Sequence, residues 1–339
     1  MSKGIKHRFR NFRSRGEALV PLQQLQTEIL KESTPDLSYL ILIVSSCLIA
    51  TFGLLANSTA VIIGAMIIAP LMLPIRGLAF GALRGDVILL RQGAIAIIAG
   101  TLLAVALAYS VGWLVGIENF GSEVWARSEP TLLDLGVAIV AGGISGYAKV
   151  QPKISGSLAG TAIAVALMPP ICVMGLGLSQ ANWSLSQGAT LLYATNLLGI
   201  MLSCMLTFLL TGYASFRNAH KPLTCALAFT AILLLPLGIS SSRLVRQAHL
   251  EATIRQTLLN RTITFQRVEL LTSRTNWHTT PPEVRLNVRA KEPITPKQVA
   301  LLEEFLQREM GQPFTLIFVV GQVEEVQRET FDSLNQREY

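Results

Sequence analysis

The residues able to do chemistry are few and sit in apolar company. Asn196 lies inside the run ATNLLGI, with no acidic or basic neighbour. Arg76 follows two prolines, Pro70 and Pro74, in a second apolar run, and Pro169 and Pro170 interrupt a third. Asn57 and Ser58 make a tight polar turn just before the second run. A buried amide such as Asn196 either binds a polar ligand or hydrogen-bonds to a neighbouring helix, and both readings stand. Arg76 could help hold an anion at the helix start after Pro74. It lies about 25 Å from Thr59 at 1.5 Å per residue, however, so snorkelling of its head toward water is the safer account. Thr161 and Ser203 are weaker candidates, because hydroxyls in helices usually bond to their own backbone.

Other chemistries are excluded by what is missing. The four histidines, His7, His220, His249 and His278, all lie outside the apolar runs, and there is no HExxH, no acid pair within a run and no serine–histidine arrangement. Cys47, Cys172, Cys204 and Cys225 fall in apolar runs without metal-ligand spacing. Neither enzymatic activity nor a cofactor nor a metal is expected.

Composition identifies the elements that must position these residues. The chain is 51% hydrophobic and 14% charged, with mean hydropathy +0.48, where about 25% charged is usual for soluble domains. An α-helical polytopic membrane protein is therefore expected, its bilayer a partner and nucleic acid not. Residues 1–36 read as a basic cytoplasmic segment, with Lys3, Lys6, Arg8, Arg10, Arg13 and Arg15 followed by an amphipathic stretch at 21–32. That segment is a tail that fixes orientation or, alternatively, one that docks on anionic lipid. A transmembrane domain over 37–242 holds apolar runs at 38–55, 60–83, 93–115, 132–150, 155–178, 189–213 and 223–239, about seven spans.

The second and fifth runs are related. NSTAVIIGAMIIAPLMLPIRGLAFG at 57–81 returns as KISGSLAGTAIAVALMPPICVMGLG at 153–177, pairing Gly64 with Gly160, Met72 with Met168, Pro74 with Pro170 and Gly81 with Gly177, each 96 positions apart. Repeat one covers 37–115 and repeat two 132–213, each a span, a proline-broken span and a span, with 223–239 as an extra span. Three is odd, so the second copy must lie upside down relative to the first, a 3+3 inverted repeat. Each proline removes a donor and frees carbonyls, which in lipid must be covered by protein or face a wet cavity. Glycines spaced by four, such as Gly77/Gly81 and Gly142/Gly146, read as close helix packing.

Loop charges orient the chain. With the N-terminus inside, the inner loops hold Arg84 and Arg91, Lys149 and Lys153, and Arg217 and Lys221, while the outer loops hold only Arg127. Residues 243–339 then form an outer soluble α+β domain with the order α-β-β-α-β: helix 243–260, strands 263–271 and 283–290, a helix from Pro296 and a strand at 314–320. It reads as an assembly or partner-binding module.

The stretches NSTAVIIGAMIIAPLMLPIRGLAFGALRGD, AIAVALMPPICVMGLGL and TNLLGI resemble the signature segments of the family known as domain of unknown function 389, hydrophobic membrane proteins of bacteria and archaea. The α-β-β-α-β tail resembles cyanobacterial members. The matching positions are Asn57, Ser58, Gly64, Pro70, Pro74, Arg84, Gly85, Asp86, Pro169, Pro170 and Asn196. The resemblance implies a multi-pass protein of a prokaryotic inner or thylakoid membrane and implies no activity. Asn182 stands where an acid matching Asp86 would be expected, which puts a paired-acid role in doubt.

Two functions fit. One is a carrier or channel moving a small solute or ion between the inverted halves, through a polar cavity near Asn57, Ser58, Pro70, Pro74, Arg76, Pro169, Pro170 and Asn196. The other is a non-transporting scaffold or sensor whose outer domain binds a partner. Assembly into a homo-oligomer is open to either. Thiol labelling of intact cells is expected to reach cysteines introduced into 243–339; protection there would remove one span.

Overall fold

The computed structural model describes residues 20–116, 120–151, 167–214, 216–261, 268–277, 279, 281–290 and 294–322. The basic cluster at 3–15, Thr161 with the first part of the expected fifth span, and His278 lie outside them. The chain divides into two compact units, Met1–Ser241 and Ser242–Tyr339.

In the first unit, α1 (Leu22–Ser33) precedes α2 (Leu37–Leu55), which the Asp36 carboxylate caps by accepting the Tyr39 N–H at 2.7 Å. At the end of α2, Asn57 is left-handed (φ 51) and Ser58 N–H donates to Gly53 O at 2.8 Å, so α3 (Thr59–Ile68) starts at once. The second span is broken, as its prolines predict. Ala69 is extended (φ −61, ψ 122), as a residue before proline prefers, and the chain restarts as α4 (Met72–Arg84) at 49° to α3. The two prolines therefore differ in role. Pro70 makes the break, whereas Pro74 is third in α4, where a backbone N–H would have no intrahelical acceptor in any case.

The second copy keeps this register. Helix α7 (Leu132–Val150) has the same 19-residue length as α2. Helix α8 (Met168–Ser179) begins at the counterpart of Met72 and carries Pro169 and Pro170 in its first turn. Both half-helices close on the same corner: Asp86 N–H donates to Gly81 O at 2.9 Å, and Asn182 N–H to Gly177 O at 2.8 Å. The residue before each donor is left-handed, Gly85 at φ 70 and Ala181 at φ 51, as a Schellman-type helix end requires. Asp86 then caps α5 (Val87–Val115) through Ile88 and Leu89 N–H, and Asn182 caps α9 (Trp183–Leu210) through Leu185 N–H. A Cβ on Gly81 would sit 2.7 Å from Leu90 N and one on Gly177 3.0 Å from Ser186 N, again equivalent atoms. Two expectations are corrected here. No polar loop extends over 84–92, because the Asp86 cap starts the helix at Val87. The Asp86/Asn182 pair differs in charge but not in task, since either side chain caps a helix.

Helix directions follow from lateral contacts. Tyr39 OH donates to Ala96 O at 2.7 Å and Cys47 Sγ to Ala104 O at 3.2 Å, so α2 and α5 run parallel. The α3–α4 pair must then carry the chain back along α2, as a broken span does and a re-entrant loop does not. Helix α4 is antiparallel to α5, with Gly81 beside Leu89 and Leu90 and Gly93 beside Pro74 and Leu78, while α8 is parallel to it, with Gly175 beside Val105 and Tyr109 and Gly112 beside Leu176. The two half-helices run in opposite senses along α5.

Among the described residues, α2, α5, α7, α9 and residues 220–258 are long and apolar enough to cross a membrane, and the α3–α4 pair makes a sixth candidate. The expected span 223–239 and the expected helix 243–260 are one continuous helix, α10 (Phe216–Arg261), with Pro222 and Pro236 inside it. The loop before α7 contains the short α6 (Ser122–Trp125). Asp134, at the start of α7, is spent on a capping box with Thr131.

In the second unit, β1 (Val268–Asn276) pairs antiparallel with β2 (Glu283–Ala290), and β2 pairs parallel with β3 (Thr315–Gln322) after α11 (Pro296–Met310), in the order β1-β2-β3. The expected element order holds, with β1 displaced toward the C-terminus. Alternation along β2 buries Val284, Leu286 and Val288 against Ile254 and Leu258 of α10 and Leu302 and Leu306 of α11, a sheet covered by helices on one face.

The repeated corner yields a test. Gly85→Ala places a Cβ in open space, so its cost is conformational, about 1 kcal/mol for a left-handed non-glycine residue. Ala181→Gly removes that strain while adding chain entropy of about 0.5–1 kcal/mol to the unfolded state. Thermal unfolding in detergent should show Gly85→Ala lowering Tm and Ala181→Gly leaving it level or higher; a clear drop for Ala181→Gly would contradict the shared geometry.

Candidate functional site

Polar side chains of the first unit converge where α1 meets α4 and α7. Along α1, Leu25, Ile29 and Ser33 recur at helical spacing, and all three are buried. Gly77 of α4 makes room for them, since a Cβ there would stand 2.7 Å from Ser33 Cβ and overlap its Oγ. The chain entering α1 is pinned by Val20 N–H donating to Val150 O at 3.2 Å and Tyr213 OH donating to Val20 O at 2.6 Å. Gln26 Nε2 donates to Asp86 Oδ2 at 2.6 Å. The stretch 21–32 is therefore not a free tail: its apolar face is part of the unit's core.

The adjoining face of α1 carries Glu28 and Glu32. Lys149 Nζ donates at 2.8 Å to Glu28 Oε2 and at 2.8 Å to Glu32 Oε1, and the other Glu32 oxygen accepts from Arg76 Nη2 at 3.3 Å. The Arg76 and Lys149 side chains are only 13% and 12% exposed. Two cations this far out of water need anionic partners, because desolvation of an unpaired charge costs several kcal/mol. Snorkelling thus fails as the account of Arg76, whose guanidinium turns to a carboxylate of α1. The hydrogen bond from Lys149 holds the Glu28 carboxyl below the usual carboxylate range. A group whose pKa is depressed by folding stabilises above its unfolded pKa and loses that contribution as pH falls through the folded value, so the Glu28 contact is intact at neutral pH.

The sequence could not show this cluster, because its four charges are scattered over positions 28, 32, 76 and 149. The usable signal was the apolar spacing of α1, which marks a helix with a partner.

The remaining expected residues fall into separate places. Asn57 Oδ1 accepts Glu123 N–H at 2.9 Å, and Thr59 Oγ1 donates to Glu123 at 2.6 Å, so Asn57 ties the α2–α3 turn to α6. Ser58 is the residue before α3 and makes no side-chain cap. Pro70, Pro74, Pro169 and Pro170 are buried, and Asn196 is 2% exposed in the middle of α9. The structure does not gather Asn57 and Ser58 with Arg76, which lies on α4 beyond the break.

Each half-helix is packed against the other copy. Phe80 of α4 meets Phe208 of α9 edge-to-face at 5.1 Å between centroids, and Cys172 of α8 lies 3.7 Å, sulfur to sulfur, from Cys47 of α2. Thr101 of α5 and Tyr193 of α9 share a hydrogen bond of 2.7 Å. Ile171, Cys172 and Val173 have no accessible surface, so the packing around α8 is filled. Among the described residues no group of three or more histidine, cysteine or acidic side chains could hold a metal ion.

With this geometry in hand, the chain can be set beside known proteins. Residues 66–202 match the model of the family described as Domain of unknown function (DUF389). Over that segment the chain is similar to the DUF389 family. The DUF389 segment runs from α3 into α9 and includes Pro70, Pro74, Arg76, Lys149, Pro169, Pro170 and Asn196; α1 and the second unit lie outside it. An uncharacterized protein of Methanocaldococcus jannaschii is 27% identical over 195 residues, which is 58% of this chain and 61% of that protein. This chain thus spans less than two thirds of that relative's length. No solved structure matches it.

The seating of α1 is testable. Gly77→Val should lift α1 and speed hydrogen exchange at 22–33 while leaving α5 protected. Lys149→Met leaves Glu28 without its cation and Glu32 with Arg76 alone, and should cost about 2 kcal/mol. Its Tm deficit should shrink as pH falls through the depressed pKa of Glu28; a deficit independent of pH would mean that the Glu28–Lys149 pair contributes nothing.

Proposed function

We propose that the first unit is a transport protein, a carrier or channel for a small solute or ion, built as a 3+3 inverted repeat of about seven spans in a prokaryotic inner or thylakoid membrane. The observation that carries this reading is the opposed pair of half-helices. α4 and α8 start at equivalent positions, carry prolines in their first turns and lie in opposite senses along α5. Discontinuous helices of this kind leave backbone groups at membrane depth that only protein or a water-filled path can satisfy. Cross-packing of each half-helix on the other copy supports an exchange between two related arrangements. On this reading the N-terminus is cytoplasmic and the second unit lies outside, as the loop charges favour.

The filled packing around Ile171, Cys172 and Val173 favours a second reading, a scaffold or sensor that moves nothing and binds a partner through its α+β unit. For the transport reading, the same packing is a closed state whose path opens by movement of α8 against α2.

Flux separates the two. Protein in liposomes should pass at least one member of a broad panel of ions and small metabolites, and Asn196→Leu or Pro170→Ala should lose that flux while remaining folded. Oxidation should link Cys47 to Cys172, seen as a shift in mass after thiol blocking, and abolish flux in the wild type but not in Cys47→Ala. A chain that moves nothing on the panel leaves the scaffold reading.

A further inference from the structure

We propose that Arg76 and Lys149 form a binding site for a small oxyanion, a carboxylate or phosphate group, and that Glu32 of α1 occupies it here as the chain's own stand-in. The proposal holds whether or not the unit transports. The two cations come from different repeats, Arg76 from the half-helix α4 and Lys149 from the last turn of α7, and both are largely buried. One carboxylate bridges them, with Oε1 on Lys149 at 2.8 Å and Oε2 on Arg76 at 3.3 Å. This is the arrangement an exogenous oxyanion would take, one oxygen to each cation.

The fit on the Lys149 side is better than on the Arg76 side. Arg76 Nε is buried and has no acceptor among the described residues, and the contact of Nη2 with Glu32 is long for a charge-assisted hydrogen bond, which is usually about 2.7–2.9 Å. A guanidinium presents a planar fork suited to two parallel bonds with an oxyanion. Glu32, fixed on a helix whose Leu25, Ile29 and Ser33 are buried, cannot turn to supply both. A free phosphate or carboxylate has no such tether and can satisfy Nε and Nη2 together.

The occupant is separable from the site. Arg76 and Lys149 belong to helices α4 and α7, whereas Glu28 and Glu32 sit on α1, which joins α2 through the extended Thr34, followed by Pro35. An anion that takes the Arg76–Lys149 pair must displace the Glu32 carboxylate and with it weaken the seat of α1. Anion binding and the seating of α1 therefore oppose one another.

The test uses the full chain in a neutral detergent with inorganic phosphate as probe, against chloride at equal ionic strength. Phosphate should raise the Tm of Glu32→Gln at concentrations at least about tenfold lower than it needs for the wild type, because an internal competitor has been removed. The double variant Glu32→Gln/Arg76→Gln should lose the response. In the wild type, saturating phosphate should speed hydrogen exchange at 22–33, a readout that needs no variant to fold. The same exchange measured in nanodiscs of phosphatidylcholine with and without phosphatidylglycerol separates the sources: acceleration with phosphatidylglycerol alone assigns the site to a lipid headgroup, and acceleration with phosphate alone to a free anion. If phosphate and phosphatidylglycerol both leave 22–33 unchanged, and Glu32→Gln responds no more than the double variant, the four charges are an anchor for α1 and the proposal fails.

Discussion

A break in a membrane-embedded helix leaves backbone groups that lipid cannot satisfy, and the arrangement around α3 and α4 follows from covering such a break. Pro70 prevents α3 from continuing, and the chain recovers by starting α4 at once with Pro74 in a turn that has no use for a donor. The cover comes from the other copy. Helix α8 is wrapped so fully that Ile171, Cys172 and Val173 expose nothing, and α4 sets Phe80 against Phe208 of α9. Such approach is possible because the facing positions are small, with Gly175 against the α5 backbone and Gly142 against Ile200 of α9.

The repeat is preserved most closely where backbone geometry is most demanding. Side chains along the two copies have diverged until Arg76 faces Cys172 in the alignment. The corners have not: a left-handed residue, a capping side chain one position later and a glycine under the next helix recur at equivalent positions. Divergence is tolerated where several side chains fill the same space, and little tolerated where a backbone N–H must find one particular carbonyl. Ala181 shows how strong that demand is, since it holds a conformation that costs an L-residue about 1–2 kcal/mol. Asn182 shows its limit, because the cap needs an oxygen acceptor and not a charge.

What could be read from the sequence was the part written in local patterns. Apolar runs, prolines and the 96-position offset located the helices and the two copies, and alternation located the strands of the second unit. Helix starts at Val87 and Trp183 were misplaced because Arg91, Gln92 and Ser186 look like loop residues until Asp86 and Asn182 are recognised as caps. The division of labour between Pro70 and Pro74 was hidden for a related reason, since it depends on where the helix restarts. The cluster of Glu28, Glu32, Arg76 and Lys149 was not legible at all. Its members are brought together by packing alone, and each looks like an ordinary loop or surface charge where it stands in the chain.

The same packing explains why α1 matters to the rest. Without it, Arg76 of α4 and Lys149 of α7 would stand with no carboxylate, and two nearby cations that cannot reach full hydration repel one another while retaining most of their desolvation cost. Neutralising them with residues of α4 or α7 would fix those helices to each other permanently. Placing the carboxylates on a separate short helix makes the neutralisation depend on the seat of α1, which rests on apolar burial, chiefly of Leu25 and Ile29, and on polar contacts, the ion pairs together with the hydrogen bonds of Val20 and Gln26. Either contribution alone is modest, at about 1.5–3 kcal/mol for burying a leucine or isoleucine side chain and about as much for a hydrogen bond to a charged group. Loss of the ion pairs therefore removes a share of what holds α1 against α4 and α7.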